Sequence, residues 1–327
     1  MKKKIIGLTF CALLLALCSL AQAQQPPKTP RIGFLGATSP STIRVRLEAF
    51  RNGLRELGYV EGKNLVIEYR YAEGKLDRVP ALAAELVRLK VDVIVTGGSA
   101  ATRPAKEATI TIPIVMAQDT DPVGNKFVAS LARPGGNITG LSILAPELSG
   151  KQLELLREII PKLSLAVMLD NSNEPGYLQL RKETERAAEA LKVKIQFLDA
   201  RDSKDVETAF REAIGRRADA VLVPTMPIIV SQRVQIADLA VKNRLPAMYG
   251  QPEYVEAGGL MFYGASITEL FRRAATFVDK VLKGARPADL PVEQPTKFEF
   301  IINLKAAKQI GVMILQSLLY RADKVIK

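Results

Sequence analysis

Residues Val128–Pro161 have the sequence VASLARPGGNITGLSILAPELSGKQLELLREIIP and separate two halves of the chain that show the same alternating pattern. The Pro-Gly-Gly at 134–136 interrupts helix and permits unusual backbone angles. Ile138–Ile143 is typical of a short strand, and Ser149 with Gln152 makes an S-x-x-Q pattern that predicts a capped helix start. A turn, a crossing strand and a new helix together predict a hinge.

Short apolar strands alternate with amphipathic helices on both sides of this hinge, which is typical of parallel sheets flanked by helices. We therefore predict an α/β fold with two Rossmann-like lobes, each built on a parallel sheet, and a cleft between them. The predicted strands are Arg31–Leu35, Leu65–Tyr71, Val91–Val95, Ile114–Ala117, Leu165–Leu169, Val193–Leu198, Asp219–Val223, Pro246–Tyr249, Gly259–Phe262 and Lys297–Ile302. The predicted helices include Leu47–Leu57, Asp77–Lys90, Lys204–Ile214, Ile228–Lys242, one opened by an S-x-x-E pattern at Ser266 and Glu269, and a final helical tail.

The two predicted lobes are each discontinuous in sequence, because Tyr263–Gly264 is interpreted as a second crossing between the halves. A polar linker occupies residues 24–30. The predicted N-terminal lobe comprises residues 31–141 with 264–290, and the predicted C-terminal lobe comprises 142–263 with 291–327.

The first 23 residues have the features of a secretory signal peptide. Three lysines at 2–4 precede an apolar run, Ile5–Leu20, and Ala21–Ala23 is an A-x-A cleavage pattern. A membrane anchor is the alternative, but the apolar run is shorter than the ~20 residues of a spanning helix. Lipid attachment at Cys18 is disfavoured because Leu17 occupies a position where a small residue is wanted. We predict a periplasmic protein with a cleaved leader.

Composition excludes several classes of chemistry. Both cysteines lie in the leader and the 327-residue chain has no histidine, which removes Ser-His-Asp hydrolysis, cysteine nucleophiles and His/Cys zinc sites. The net charge of +12 falls to +9 without the three leader lysines, and the basic residues are interleaved with acids, as at Arg44, Glu48, Arg51 and Arg55. The sequence shows no concentrated basic patch with stacking aromatic residues, so it does not predict nucleic-acid binding. Carboxylate chemistry remains open.

Several stretches resemble one family along most of the chain. They are SLARPGGNITGLS at 130–142 with Asp121–Val123 before it, FRNGLRELGYVEGKNLVIEYRYAEG at 50–74, LFRRAATFVDKVLKGARPADLPVEQPTKFEFIINLKAAKQIG at 270–311, and LLYRADKVI at 318–326. These are similar to the substrate-binding proteins of ABC transporters whose ligands are largely uncharacterised. The resemblance implies a type I periplasmic binding fold over residues 31–327. It leaves the ligand open, since members of the family bind different small molecules, aromatic amino acids among them.

Ser99 is the leading candidate for a ligand contact. Ligands of parallel α/β sheets bind outside the carboxyl ends of the strands, and Ser99 follows a predicted strand and the Gly97–Gly98 turn at a helix start. Free amide groups and the helix dipole at such a start favour a carboxylate. A plain N-cap is the alternative interpretation of Ser99. No G-x-G-x-x-G or P-loop pattern is present, so no nucleotide cofactor is expected.

The other candidate ligand contacts also follow strands. Asp119 is favoured over Asp121 as the acceptor of an ammonium group, and Thr38 and Ser39 are either ligand contacts or ordinary turn residues. The full set of predicted ligand-binding residues is Thr38, Ser39, Gly98, Ser99, Ala100, Asp119, Asn171, Ser172, Thr225, Tyr249 and Gln251.

These features predict a monomeric periplasmic solute-binding component of an ABC importer. It would bind a small molecule, such as an amino acid or another carboxylate, and deliver it to a membrane permease energised by an ATPase. We expect no catalysis, cofactor, metal or nucleic-acid partner. The alternative is an exported carboxylate-dependent enzyme or a ligand sensor on the same fold.

Overall fold

The structure, a computed structural model, describes residues 29–170, 177–201, 203–225 and 232–327. The predicted leader therefore lies outside the described residues. Within the described residues, no helix combines the length and the apolar character needed to cross a membrane.

The first lobe contains a five-stranded, all-parallel sheet in the order β2-β1-β3-β4-β5. Its strands are β1 (Arg31–Gly36), β2 (Val66–Tyr71), β3 (Val93–Thr96), β4 (Ile114–Met116) and β5 (Ile138–Gly140). The helices that alternate with these strands are α1 (Arg44–Glu56), α2 (Val79–Arg88) and α3 (Ser99–Ala108), and a 3₁₀ turn precedes α2 at Leu76–Arg78.

The second lobe contains a seven-stranded sheet in the order β12-β11-β10-β9-β8-β6-β7. Its strands are β6 (Leu165–Asp170), β7 (Lys194–Asp199), β8 (Ala220–Val223), β9 (Ala247–Tyr249), β10 (Met261–Ala265), β11 (Phe298–Asn303) and β12 (Lys324–Ile326). The helices after β5 are α4 (Ala145–Ile159), α5 (Tyr177–Ala190), α6 (Ser203–Gly215), α7 (Arg233–Lys242), α8 (Glu253–Glu256), α9 (Ile267–Leu282), α10 (Leu304–Ile310) and α11 (Gln316–Arg321), with a 3₁₀ turn at Pro287–Asp289. Only β10 and β11 pair in antiparallel fashion among these described strands. The predicted two-lobed α/β fold is confirmed.

Helix α9 completes the core of the first lobe, although the second lobe's β6–β10 precede it in sequence. Phe271 of α9 and Phe50 of α1 both lie against Phe34 of β1, with ring centroids 6.4 Å and 6.3 Å away. The two helices touch at Gly53, where a Cβ atom would lie 2.3 Å from the carbonyl oxygen of Arg272. Glycine at 53 is therefore what permits the close packing of α1 on α9.

The chain passes between the two sheets three times within the described residues: after β5, after β10 and before β11. The third segment is hydrogen-bonded to the other two. The Ser142 amide of the first segment donates to the Glu293 carbonyl of the third at 3.0 Å, and the Ser266 amide of the second donates to the Lys297 carbonyl of the third at 2.9 Å. Gly140, with φ +132°, begins the first crossing, and a Cβ there would lie 2.2 Å from the Met116 carbonyl oxygen. We propose that the lobe boundaries lie at these crossings.

Neither predicted capping box forms its side-chain capping bonds, although a helix does begin directly after Ser266 as predicted. Helix α4 begins at Ala145, so Ser149 lies inside it and donates to the Pro146 carbonyl at 2.8 Å. Ser266 is the N-cap of α9, but its hydroxyl donates to Glu299, and Glu269 pairs with Arg272 instead. Both serine hydroxyls thus bond to other partners and do not cap the first turn of a helix.

The predicted helical tail is correct only in part. Helices α10 and α11 form, but the chain then extends into β12, which pairs in parallel with β11. On its other side, β11 pairs in antiparallel fashion with β10. Pairing with an available sheet edge thus overrode the helical pattern of the last residues.

Candidate functional site

The amino terminus of α3 lies at the carboxyl edge of the five-stranded sheet. Gly98 is its N-cap with φ 133°, a value that favours glycine, and Ser99 is the first helical residue. The amides of Ala101 and Thr102 both donate to the Gly98 carbonyl at 3.0 Å. The amides of Ser99 and Ala100 precede these bonds at the positive end of the helix, where an anion is favoured. Ser99 is therefore not the cap itself, which was the alternative interpretation.

Asp119 lies beside Ser99 in a buried polar cluster. Its Oδ1 accepts from the Asn125 side-chain amide at 2.9 Å and from the Asp121 backbone amide at 3.1 Å. The Ser99 hydroxyl lies 3.3 Å from the hydroxyl of Thr120 and accepts from Asn125 at 3.3 Å. The second carboxylate oxygen of Asp119, Oδ2, is buried and has no hydrogen-bond partner in the described part of the chain.

Burial sets the titration of Asp119. Asp119 is 1% exposed, and desolvation raises its pKa to about 6 against the lowering effect of the hydrogen bonds from Asn125 and from the Asp121 backbone amide. A buried carboxylate with one oxygen unpaired is costly unless a cation or donor meets it. An ammonium group that reached this buried oxygen would supply the missing partner.

A cavity lined in part by polar side chains, called the polar cavity, lies between the two lobes. Its walls include the side chains of Thr38, Thr42, Ile43, Arg46 and Gln118 from the first lobe and of Gln251 from the second. Gln118 donates its amide N–H to the Gly97 carbonyl at 3.3 Å, which orients its Oε1. The Oε1 atoms of Gln118 and Gln251 are both buried without a partner among the described residues. These two buried acceptors thus belong to residues of this cavity, one from each lobe.

A second, mostly apolar cavity adjoins the hinge. It is lined by Ile143, Leu148, Leu180, Pro224, Thr225 and Ile267, among others. Gly250 belongs to this apolar cavity and its chain neighbour Gln251 belongs to the polar one, so the two cavities meet at this dipeptide. Thr225 donates its hydroxyl to the Gly250 carbonyl at 2.9 Å, which fixes the junction.

Tyr249 does not line either cavity. Its ring is fully buried in the core of the seven-stranded sheet and stacks on Tyr254 at 5.0 Å with an interplanar angle of 7°. Burial raises the pKa values of both phenols, and neither hydroxyl has a partner in the described residues. The structure thus places Tyr249 behind the cleft instead of in its wall.

The remaining predicted residues do not form a single group. Thr38 and Gln251 line the polar cavity, and Ala100 is half-buried in the first turn of α3. Ser39 is a turn residue whose hydroxyl lies 2.9 Å from those of both Ser41 and Thr42. Asn171 and Ser172 lie outside the described residues.

Sequence reasoning missed Arg46 and Gln118. Arg46 is two residues from Arg44, so it lies on a different side of α1 from the solvated face, next to Leu47 and Phe50. A basic residue on the apolar side of an amphipathic helix was the available signal. Within the described residues, no group of three or more Asp, Glu, His or Cys is placed to hold a metal ion.

The chain is similar to known proteins over most of its length. A tyrosine-binding protein of Clostridioides difficile (strain R20291) is 27% identical over 290 residues, which cover 89% of this chain and 83% of the relative. A crystal structure of a conserved domain protein from Vibrio cholerae O1 biovar El Tor matches with a TM-score of 0.85 and 29% identity, over 91% of this chain and 100% of that one.

A structure from Streptococcus pneumoniae, described as an ABC domain in complex with L-Trp, also matches with a TM-score of 0.85. It is 27% identical and covers 91% of this chain and 100% of its own. A family model described as ABC transporter substrate binding protein matches residues 38–326, which include both lobes and all three crossings. The chain belongs to the family of ABC transporter substrate-binding proteins.

Proposed function

We propose that this protein is the periplasmic solute-binding component of an ABC importer. It binds an amino acid with an apolar or aromatic side chain in the cleft and delivers it to a membrane permease driven by an ATPase. It makes and breaks no covalent bond. The leader-like sequence of residues 1–23 supports an exported protein, and family membership supports the transport role.

The observation that carries the ligand class is the unpaired Oδ2 of Asp119 beside the start of α3. The amides of Ser99 and Ala100 offer donors to a carboxylate, whereas the Asp119 carboxylate offers an acceptor to an ammonium group. An α-amino acid carries both groups on one carbon atom. The proximity of Asp119 to Ser99, through their shared bonds with Asn125, matches that requirement.

The two cavities favour an amphiphilic ligand. Gln118 and Gln251 line the polar cavity, while Leu148, Leu180 and Ile267 line the apolar one. An apolar side chain entering the apolar cavity would be removed from water at roughly 25 cal/mol per Å². The names of two similar proteins, which refer to tyrosine and L-Trp, support an aromatic ligand.

Binding and transport would be coupled through closure of the lobes. Because the polar cavity takes walls from both lobes, a ligand there contacts more surface in the closed form than in the open one. The ligand then favours closure by the difference between its affinities for the two forms. The permease would recognise the closed form.

A binding screen tests the ligand class. The protein from residue 24 onward is unfolded, refolded to remove carried ligand, and titrated calorimetrically with L-tryptophan, L-tyrosine and L-leucine. Matched compounds are tryptamine, which lacks the carboxylate, and indole-3-propionate, which lacks the ammonium group. We expect binding only when the ligand carries both groups. At a ligand concentration one hundred times Kd, the free energy of unfolding should rise by about 2.7 kcal/mol.

Two results would contradict the proposal. Equal binding of tryptamine and L-tryptophan would remove the α3 start from ligand recognition, and a response confined to sugars or nucleosides would remove the amino-acid class. Chromatography of the recovered ligand separates binding from catalysis, because a binding protein returns it unchanged.

A further inference from the structure

Arg46 and Glu253 form an ion pair that joins the two lobes directly. Arg46 lies in the first turn of α1, in the lobe of the five-stranded sheet, and Glu253 begins α8 after β9 of the seven-stranded sheet. Their side chains are only 8% and 13% exposed. The two residues are 207 positions apart in sequence, and their contact requires the lobes to be close together.

Local structure disfavours Arg46 where it stands. The first turn of α1 contains Arg44 and Arg46 and no acidic residue, so two positive charges lie at the positive end of a helix dipole. Arg46 is also buried, and a buried charge is costly unless it is paired. Sequences break local rules of this kind mainly at functional positions. The compensation comes from Glu253, which belongs to the other lobe.

We propose that Arg46 and Glu253 are positioning residues for ligand binding that hold the lobes closed over the ligand. Opening returns both charges to water, whereas closure pairs them. Removing one partner leaves the other buried without its counter-charge in the closed form only, so the closed form is penalised selectively. The inference rests on the proposed function, because it concerns closure around the ligand of the same cleft.

Arg46 also contributes to the polar cavity wall, so a direct contact with the ligand must be separated from an effect through Glu253. Neutral replacements of both partners do this. Arg46→Met and Glu253→Gln each break the pair, while the double variant removes both charges together. Glu158→Gln is the matched control, because Glu158 pairs with Arg321 at 2.8 Å within one lobe.

The measurement is L-tryptophan affinity and dissociation rate, together with the distance between spin labels at Asp77→Cys and Leu178→Cys. These exposed positions lie one in each lobe, and the protein from residue 24 has no other cysteine. We expect each single variant to weaken binding at least about tenfold with faster dissociation, and the double variant to recover most of the loss. The single variants should also show longer label distances in ligand-free protein, and Glu158→Gln should match the wild type.

Unchanged affinity and distances in both single variants would overturn the inference. So would a loss in Arg46→Met that Glu253→Gln does not share, because Arg46 would then act on the ligand alone. If the wild type does not bind L-tryptophan or the other amino acids, the proposed function fails instead. The label distances then decide the role of the pair, and a Glu253→Gln protein with wild-type distances would refute it.

Discussion

Replacing Asp119 with asparagine should make the ligand-free protein more stable and the binding site weaker. The substituted side chain can keep the bonds that Oδ1 accepts from Asn125 and Asp121, since it retains one carbonyl oxygen in the same place. The substitution removes the buried negative charge of the carboxylate. The pKa of Asp119 rises from 3.8 to about 6 in the folded protein, and two units correspond to about 3 kcal/mol at roughly 1.4 kcal/mol each.

The sign of this effect depends on pH. A folded-state pKa above the unfolded one means that the folded protein holds the proton more tightly, so this group favours folding most below pH 3.8. That contribution is lost as the pH rises through about 6. Asp119→Asn should therefore unfold at a higher temperature than wild type at pH 7.5, and the difference should nearly vanish at pH 4.

Thermal denaturation followed by circular dichroism at both pH values tests the stability effect, and calorimetry with L-tryptophan tests binding. Affinity should fall about ten- to hundredfold, as for the loss of a charge-assisted bond, and wild-type affinity should itself rise between pH 5 and 7. Asp238→Asn is the control, because that exposed carboxylate pairs with Lys242 at the surface. Equal melting temperatures at pH 7.5, or unaltered binding, would refute the reasoning.

Three further variants test other parts of the structure. Ser99→Leu should weaken L-tryptophan binding tenfold or more in calorimetry, since a charge-assisted bond is worth roughly 1.5 to 3 kcal/mol, and unchanged affinity would remove Ser99 from the site. Gly53→Ala should lower the free energy of unfolding by about 1–3 kcal/mol in urea titrations because its Cβ meets the Arg272 backbone. The matched Gly150→Ala in α4, whose Cβ meets only Ala187 at 3.4 Å, should be neutral or stabilising. Gln251→Leu should raise the melting temperature of the ligand-free protein by removing an unpaired buried oxygen and should weaken binding, and a variant that changes neither would place Gln251 outside the site.

The strand and helix order was predictable because buried parallel strands are continuous apolar runs. Val93–Thr96 and Ala220–Val223 are fully buried along their length, and their apolar sequences show it. The buried face of α9 was equally predictable from its spacing, with Leu270, Phe271 and Val278 all buried. Such features depend on residues close together in the chain.

The parts of the site that escaped prediction depend on residues far apart. The sequence around Arg46 does not indicate that Glu253 is its ion-pair partner, because the two residues meet only when the lobes face each other. Tyr249 was expected in the cleft because it ends a strand, but its ring points into a core filled by Tyr254. Strand ends locate the edge of a sheet correctly, whereas side-chain direction at that edge depends on the packing behind it.

The late position of α9 has a consequence for synthesis of the chain. Phe271 meets Phe34 only after the ribosome has produced five of the seven described strands of the second sheet. Until then the first lobe exposes the surface that α9 covers, so it cannot reach its final packed state as a nascent chain. A polypeptide whose first lobe completes its packing this late stays partly unfolded for most of its time on the ribosome.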